Sequence, residues 1–363
     1  GHTILAPQMA PIHFDLITFS LKKYGYKMLI PEMSKQEAID LGLRYVNNDM
    51  CYPAIVVIGQ LLSALTSGKC DPDNTSIMLF QTCGACRATN YLNLLRKALR
   101  DAGYPQVPVF ACWGMEKDAF SLHTDGFADI IKSTVYADLL MQVMHRTQPY
   151  EAVPGAAGQL FRQWMERCRQ ELLQGSYQKF AANIKGIAED FEALPLLENV
   201  WKPRVGIVGE ILVKYHPTAN NGLEEILAAE GAEVVMPSLL DFYLYLAYDA
   251  IAKRELLDGS LTDRLKAEAA IQVLEFFRRP VRKALKGSRR FSLPHTIKEI
   301  AAMAKAHISL GNMAGEGWFL TGEMVKLLQT DTPNIICLQP FGCLPNHISG
   351  KGMIRELLHS YPG

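Results

Sequence analysis

The chain has 363 residues, 49% of them hydrophobic and 20% charged, with 27 Gly and 19 Pro, a composition that excludes disorder, collagen-like repeats and low complexity. Lys plus Arg number 37 and Asp plus Glu number 37, so no net field recruits nucleic acid or anionic lipid, and a small neutral or mixed-charge ligand is expected instead. This length suits two or three domains with a cleft between them, which is where chemistry is usually found.

In chain order, residues 3–7, 12–24 and 26–30 read as strand, helix and strand, with Gly25 as the helix stop. A helix over 34–45 follows, then the polar break Asn47-Asn-Asp49, then Pro53 in the first turn of a helix running to 67, so Cys51 precedes a helix N-terminus. Residues 76–80 are a short buried strand, 81–86 a loop, 87–102 a helix and 107–111 a strand, which puts Cys83, Cys86 and Cys112 at or just beyond strand ends. Helical spacing over 127–146, 160–173 and 177–194 has no strand-like run between. A second unit then repeats the first: strand 204–208, loop 209–221, helix 222–230 and strand 233–236. Helices over 239–257, 262–279 and 293–306 precede a strand at 334–338, a loop at 339–350 and a helix at 351–360.

The expected fold is α/β, with two Rossmann- or flavodoxin-like parallel-sheet domains joined by a helical segment. The N-terminal domain covers 3–150, the helical connector 151–203 and the C-terminal domain 204–363, with a helical insertion at 239–306. Phe80-Gln-Thr-Cys-Gly-Ala-Cys86 and Leu338-Gln-Pro-Phe-Gly-Cys343 match as strand ends running into Gly- and Cys-containing turns, so the halves read as duplicates. The second half lacks a counterpart of the strand at 107–111, and its C-terminus reads as cut short. The longest apolar stretch, 54–65, is interrupted by Gly59, Gln60 and Ser63, short of the ~18 residues a membrane helix needs. Gly1-His2 reads as a tag remnant and no secretory leader follows it, so the cytoplasm is expected.

Eight cysteines, at 51, 70, 83, 86, 112, 168, 337 and 343, are too sparse for a disulfide scaffold. Cys83-x-x-Cys86 can share a metal, form a redox disulfide, or be two small residues in a tight turn. No second such pair and no His pair at finger spacing accompanies it, which speaks against structural zinc. Iron–sulfur clusters take thiolates, and helix N-termini stabilise both thiolate and anionic cluster through free N–H groups and the dipole. Cys51, Cys86 and Cys343 match that description best, whereas Cys70, Cys168 and Cys337 read as having no ligand role. A cluster on three cysteines leaves one iron open to a substrate oxygen. Parallel sheets place sites at strand carboxyl ends, so cysteines from both halves are expected to meet in the crevice between them.

The loop 209–221 concentrates a cation and an imidazole, Lys214 and His216, which could bind an acyl or phosphate oxygen. The alternative is a solvated loop in which Asn220 or Asn221 caps the next helix. His347 and Lys351 are weaker candidates, and 311–317 lacks the strand and the spacing of a dinucleotide fingerprint.

Four segments in order carry a family resemblance: Tyr45-Val-Asn-Asn-Asp-Met-Cys-Tyr-Pro-Ala54, Gln81-Thr-Cys-Gly-Ala-Cys-Arg-Ala-Thr-Asn-Tyr91, Val205-Gly-Ile-Val-Gly-Glu-Ile-Leu-Val-Lys-Tyr-His-Pro217 and Leu338-Gln-Pro-Phe-Gly-Cys-Leu-Pro-Asn-His347. Over nearly its whole length the sequence resembles the acyl-CoA dehydratase activase-related proteins, which belong with the 2-hydroxyacyl-CoA dehydratase (2-hydroxyglutaryl-CoA dehydratase D-component) family. The resemblance implies two α/β domains with a helical part and a 4Fe-4S cluster on Cys51, Cys86 and Cys343 drawn from both. It further implies one electron received from an ATP-hydrolysing activator module or protein and passed to a 2-hydroxyacyl thioester, whose ketyl radical expels the hydroxyl, in an anaerobic host. The chain would then be a dehydratase-like lyase or an ATP-coupled reductase component, with Arg87, Lys214 and His216 near cluster or ligand.

Cys83 departs from the family, whose members in this subgroup tend to have glycine there; a fourth thiolate could close the open iron or support a double-cubane cluster. No P-loop is present, so the electron source is expected outside this sequence, with acyl-CoA as ligand and a homodimer or heterodimer as assembly. Two other readings stay open: a non-catalytic cluster-binding or partner-docking domain of a larger activase-related protein, and a thiol redox protein using Cys83 and Cys86. An air-handled sample is expected to lose its cluster. The geometric requirement is that three sulfurs on one cluster lie within roughly 7 Å of each other, given Fe–S bonds near 2.3 Å.

Overall fold

Short aliphatic strands with no polar alternation need cover on both faces, which parallel sheets flanked by helices supply. Thr3–Leu5, Lys27–Leu29, Thr75–Leu79 and Val109–Ala111 (β1 to β4) form one sheet in the order β2-β1-β3-β4. Arg204–Gly209, Glu233–Val235 and Asn334–Leu338 (β5 to β7) form a second in the order β6-β5-β7. All pairs are parallel, with Leu5 beside Leu29 and Ile77 and Gly206 beside Val235 and Ile335. The second sheet repeats the order of the first three strands of the first, and no counterpart of β4 exists among the described residues. The fold is therefore α/β with two small parallel sheets. The computed structural model describes residues 2–31, 36–80, 85–111 and 124–362, so Cys83 and Cys112 lie outside the described residues.

Most of the apolar mass is helical. The helices Thr124–Thr147, Ala156–Gln174, Tyr177–Ala193, Leu239–Leu256, Leu261–Leu285 and Ile297–Lys305 share one buried core that includes Tyr136, Trp164, Phe180, Tyr245, Leu285 and Ile300. The connector and insertion segments thus pack as one helical body with the long helix that precedes them. Among the described residues no helix is long and apolar enough to cross a membrane.

The structure departs locally from the sequence reading at four places. Residues 209–221 are not a solvated loop: Ile211–Tyr215 is a helical turn, N-capped by Glu210, and it is largely buried. Its five residues are too few to display a period. The helix expected to end at 279 continues through Pro280 to Leu285, because Val281 and Leu285 are buried in the helical core. Helix Gly317–Gln329 follows the Gly-rich stretch, over residues to which the sequence reading gives no element. Finally, residues 344–349 form a helix of their own directly after Cys343.

The helix Tyr52–Thr66 is buried on nearly every face and lies against Gln36–Tyr45 with almost no space between the backbones. A Cβ on Gly59 would stand 1.7 Å from the Ala38 carbonyl oxygen, and one on Gly42 would stand 2.1 Å from that of Ile55. Neither neighbour is a flexible side chain, so the helices themselves would have to part. Gly59→Ala is expected to lower stability by about 3 kcal/mol, read as a lower urea midpoint; an unchanged midpoint would show that the helices have room.

Candidate functional site

Three chain segments far apart in sequence arrive at one place. Cys51 is the N-cap residue of helix Tyr52–Thr66, Cys86 that of the 3₁₀ turn Arg87–Asn90, and Cys343 that of helix Leu344–Ser349. All three line a cavity of about 110 Å³ together with Arg87, Tyr91, Glu210 and Glu316. Its remaining wall is mostly apolar, with Phe14, Phe80 and Phe242 among its members. The cavity lies beyond the carboxyl ends of β5 and β7, as open parallel sheets favour.

The two loops carrying Cys51 and Cys343 are joined by backbone. Tyr52 N donates to Phe341 O at 3.0 Å. Gly342, at φ 72°, lies so close that a Cβ there would be 3.1 Å from Cys51 Cα; only glycine combines that left-handed φ with that approach. Arg87 ties the third segment in, donating from Nη1 to the carbonyl of Asp49, two residues before Cys51. Cys86 faces the Gly-rich turn, where a Cβ on Gly315 would lie 3.8 Å from its Sγ. Tyr245 Oη fixes that turn through the carbonyls of Met313 (3.0 Å) and Gly315 (2.8 Å).

Burial sets the protonation of the site. It pushes the Cys51 thiol up, a push partly offset by Tyr91, whose Oη is 2.8 Å from Sγ. Burial holds Tyr91 itself well above its ordinary range, so toward a Cys51 thiolate the phenol is the donor. Burial, then Glu316, pushes Cys343 up strongly. Glu210 and Glu316 are both raised, chiefly by burial, and the pair favours holding a proton. Asn346 links them, its amide nitrogen donating to Glu316 Oε2 (3.0 Å) and its oxygen accepting from Glu210 N (3.0 Å). Glu316 Oε1 also accepts from Ile211 N at 2.9 Å. These two carboxyls were not singled out from the sequence, because an isolated Glu carries no spacing signal; only the tertiary fold brings them together.

Of the other residues singled out from the sequence, Arg87 lines the cavity, whereas Lys214 and His216 do not. Lys214 is 1% exposed and donates to both carboxylate oxygens of Glu323, at 2.9 and 3.1 Å. His216 is fully buried. Its Nδ1 accepts from Ala219 N (3.3 Å), and its Nε2 lies 2.6 Å from the amide nitrogen of Gln60. Asn220 Oδ1 accepts from Leu223 N at the start of the next helix (3.2 Å). His347 Nδ1 lies 2.6 Å from the Cys343 carbonyl. Cys168 is buried in the helical core, and Cys70 donates to the Ala64 carbonyl.

Burial lowers His216 to a pKa of about 4 from the ordinary 6.5. Below pH 6.5 the unfolded chain takes up a proton that the folded one refuses, so stability falls as pH drops through this window and levels off below about 4. The expected loss is about 3 kcal/mol, and His216→Gln removes it. Urea denaturation of both proteins from pH 4 to 7 checks this; parallel pH curves would contradict it.

Among the described residues, no three His, Cys, Asp or Glu side chains are grouped so as to hold a single metal ion. A cubane makes no such demand, because each thiolate binds a different iron. Comparison with known proteins returns nothing: no family profile, no curated protein and no solved structure matches the chain.

Proposed function

We propose that the cavity holds a 4Fe-4S cluster on Cys51, Cys86 and Cys343. On this reading the chain is an iron–sulfur electron-transfer or reductase component of the 2-hydroxyacyl-CoA dehydratase type, and its two sheets are the cores of two Rossmann-like domains. The observation that carries this reading is the meeting of three thiols, each at a helical N-cap, in one largely apolar cavity. A donor set of thiols without imidazole suits iron–sulfur ligation. Such a group supplies a low-potential electron and, with three protein ligands, an open position for a substrate oxygen.

The chain's own residues have separable roles. Backbone N–H groups of the first helical turns, that of Ala54 toward Cys51 and that of Asn346 toward Cys343, stabilise thiolate charge. Tyr91 donates to Cys51 and holds its sulfur in place. Protonation of the Glu210–Glu316 pair keeps a second negative charge away from the thiolates. Phe14, Phe80 and Phe242 keep water out. Arg87, half-exposed at the cavity, is the cation available to an incoming acyl oxygen. An ATP-hydrolysing activator is the proposed electron source and a 2-hydroxyacyl thioester the proposed acceptor.

Strictly anaerobic purification followed by iron and sulfide analysis tests the reading. About four of each per chain are expected. A protein that stays iron-free under those conditions and after anaerobic reconstitution, and that forms a reversible Cys83–Cys86 disulfide, would be a thiol redox protein instead.

A further inference from the structure

A second cavity, of about 210 Å³, runs along β6 from Glu233 to Ser238 beyond its end and shares no lining residue with the cysteine cavity. Its charges do not cancel. Glu233 accepts from both Arg146 and Arg204 (Nε, 3.0 Å), and Arg204 also faces the exposed carboxylate of Asp331 at 3.7 Å, so these two guanidinium groups meet two carboxylates. Asp241 likewise accepts from Arg278 and from Lys326 (3.1 Å). Glu275 is shared in turn by Arg278 and Arg282, which leaves that group of three cations and two carboxylates one charge positive. Arg290 turns its Nη atoms to the carbonyls of Phe191 and Leu194.

The other two carboxylates in the wall are bound from outside it. Asp138 accepts from the Leu239 and Leu240 N–H groups (2.8 and 3.0 Å) and is 2.8 Å from His13, while Glu323 is paired with Lys214. Two lining imidazoles also have a buried nitrogen without a hydrogen-bond partner, Nδ1 of His145 and Nδ1 of His295. His145 Nε2 is 3.1 Å from Glu224, so its Nδ1 is an acceptor when the ring is neutral; His295 can carry its proton on Nδ1 and donate.

We infer that this cavity binds a phosphoryl group. The surplus positive charge of the Arg278–Lys326–Arg282 group, with Arg290 hydrogen-bonded to carbonyls, suits a phosphate anion, guanidinium groups match phosphate oxygens, and a protonated phosphate oxygen or ester hydroxyl satisfies the His145 acceptor. The volume is that of about seven waters, room for a phosphate with a small organic group attached. The shared chemistry is the phosphate, free or as a small monoester.

The full-length protein is titrated calorimetrically with inorganic phosphate and with glycerol 3-phosphate, each against sodium chloride of equal ionic strength and against citrate. Saturable one-to-one binding of either phosphate is expected, with the tighter of the two naming the source. Lys326→Gln should weaken it at least tenfold. Gln142→Glu should do the same by placing a negative charge in the wall at a half-buried position, without removing an ion pair. Cys343→Ser should leave it within twofold. Phosphate heats indistinguishable from chloride, a preference for citrate, or equal affinity in Gln142→Glu would overturn the assignment.

Discussion

Exchange of any one of Cys51, Cys86 and Cys343 for Ser is expected to cut the iron content of the anaerobic protein from about four per chain to below about one. The three thiols share one cavity, so loss of one donor removes a third of the protein ligands at once. Serine is a poor substitute, because its hydroxyl stays protonated where even the thiols are pushed up by burial. Cys337→Ser and Cys70→Ser are the controls. Cys337 sits within β7, pushed up to about 11 by burial, and Cys70 is hydrogen-bonded to Ala64, so both variants should keep their iron. Full iron in all three site variants would end the cluster proposal while leaving the phosphoryl site untouched, since the two cavities have no residue in common.

Glu323→Ala is expected to cost 3–5 kcal/mol of stability, a typical range of about that size for a buried pair broken from one side. Lys214 and Glu323 are 1% and 2% exposed, so an ammonium left there alone is almost fully removed from bulk solvent. The double variant Lys214→Met/Glu323→Leu removes both charges and should recover most of the loss. Denaturant unfolding of wild type, single and double variants gives the cycle. A single variant within about 1 kcal/mol of wild type would show that Lys214 finds another partner, and would return it to the list of ligand-binding candidates.

That Lys214 reads as a binding residue in sequence and is an ion-pair partner in the structure shows where sequence reasoning reaches its limit. Aliphatic runs bounded by glycine and proline reveal the seven strands found among the described residues to within a few residues, because short parallel strands must be apolar on both faces. The N-cap position of Cys51 is likewise legible, since Pro53 occupies a first-turn position that suits proline, whereas the short helix after Cys343 falls where the sequence reads as a loop up to 350. The burial of residues 211–216 is not legible, because it depends on Glu323 and Gln60 arriving from elsewhere in the chain. Glu316 hides in the same way, behind a glycine-rich turn whose purpose emerges only when Tyr245 grips it.

The backbone bond from Tyr52 to Phe341 also governs when the site can exist. Cys343 follows Cys51 by about 290 positions, which at ribosomal speeds is on the order of 15–60 s of elongation. Throughout that interval the early thiols wait without their partner, so the proposed cluster could be loaded only after Cys343 has been made, and a nascent chain stalled before it offers an incomplete donor set.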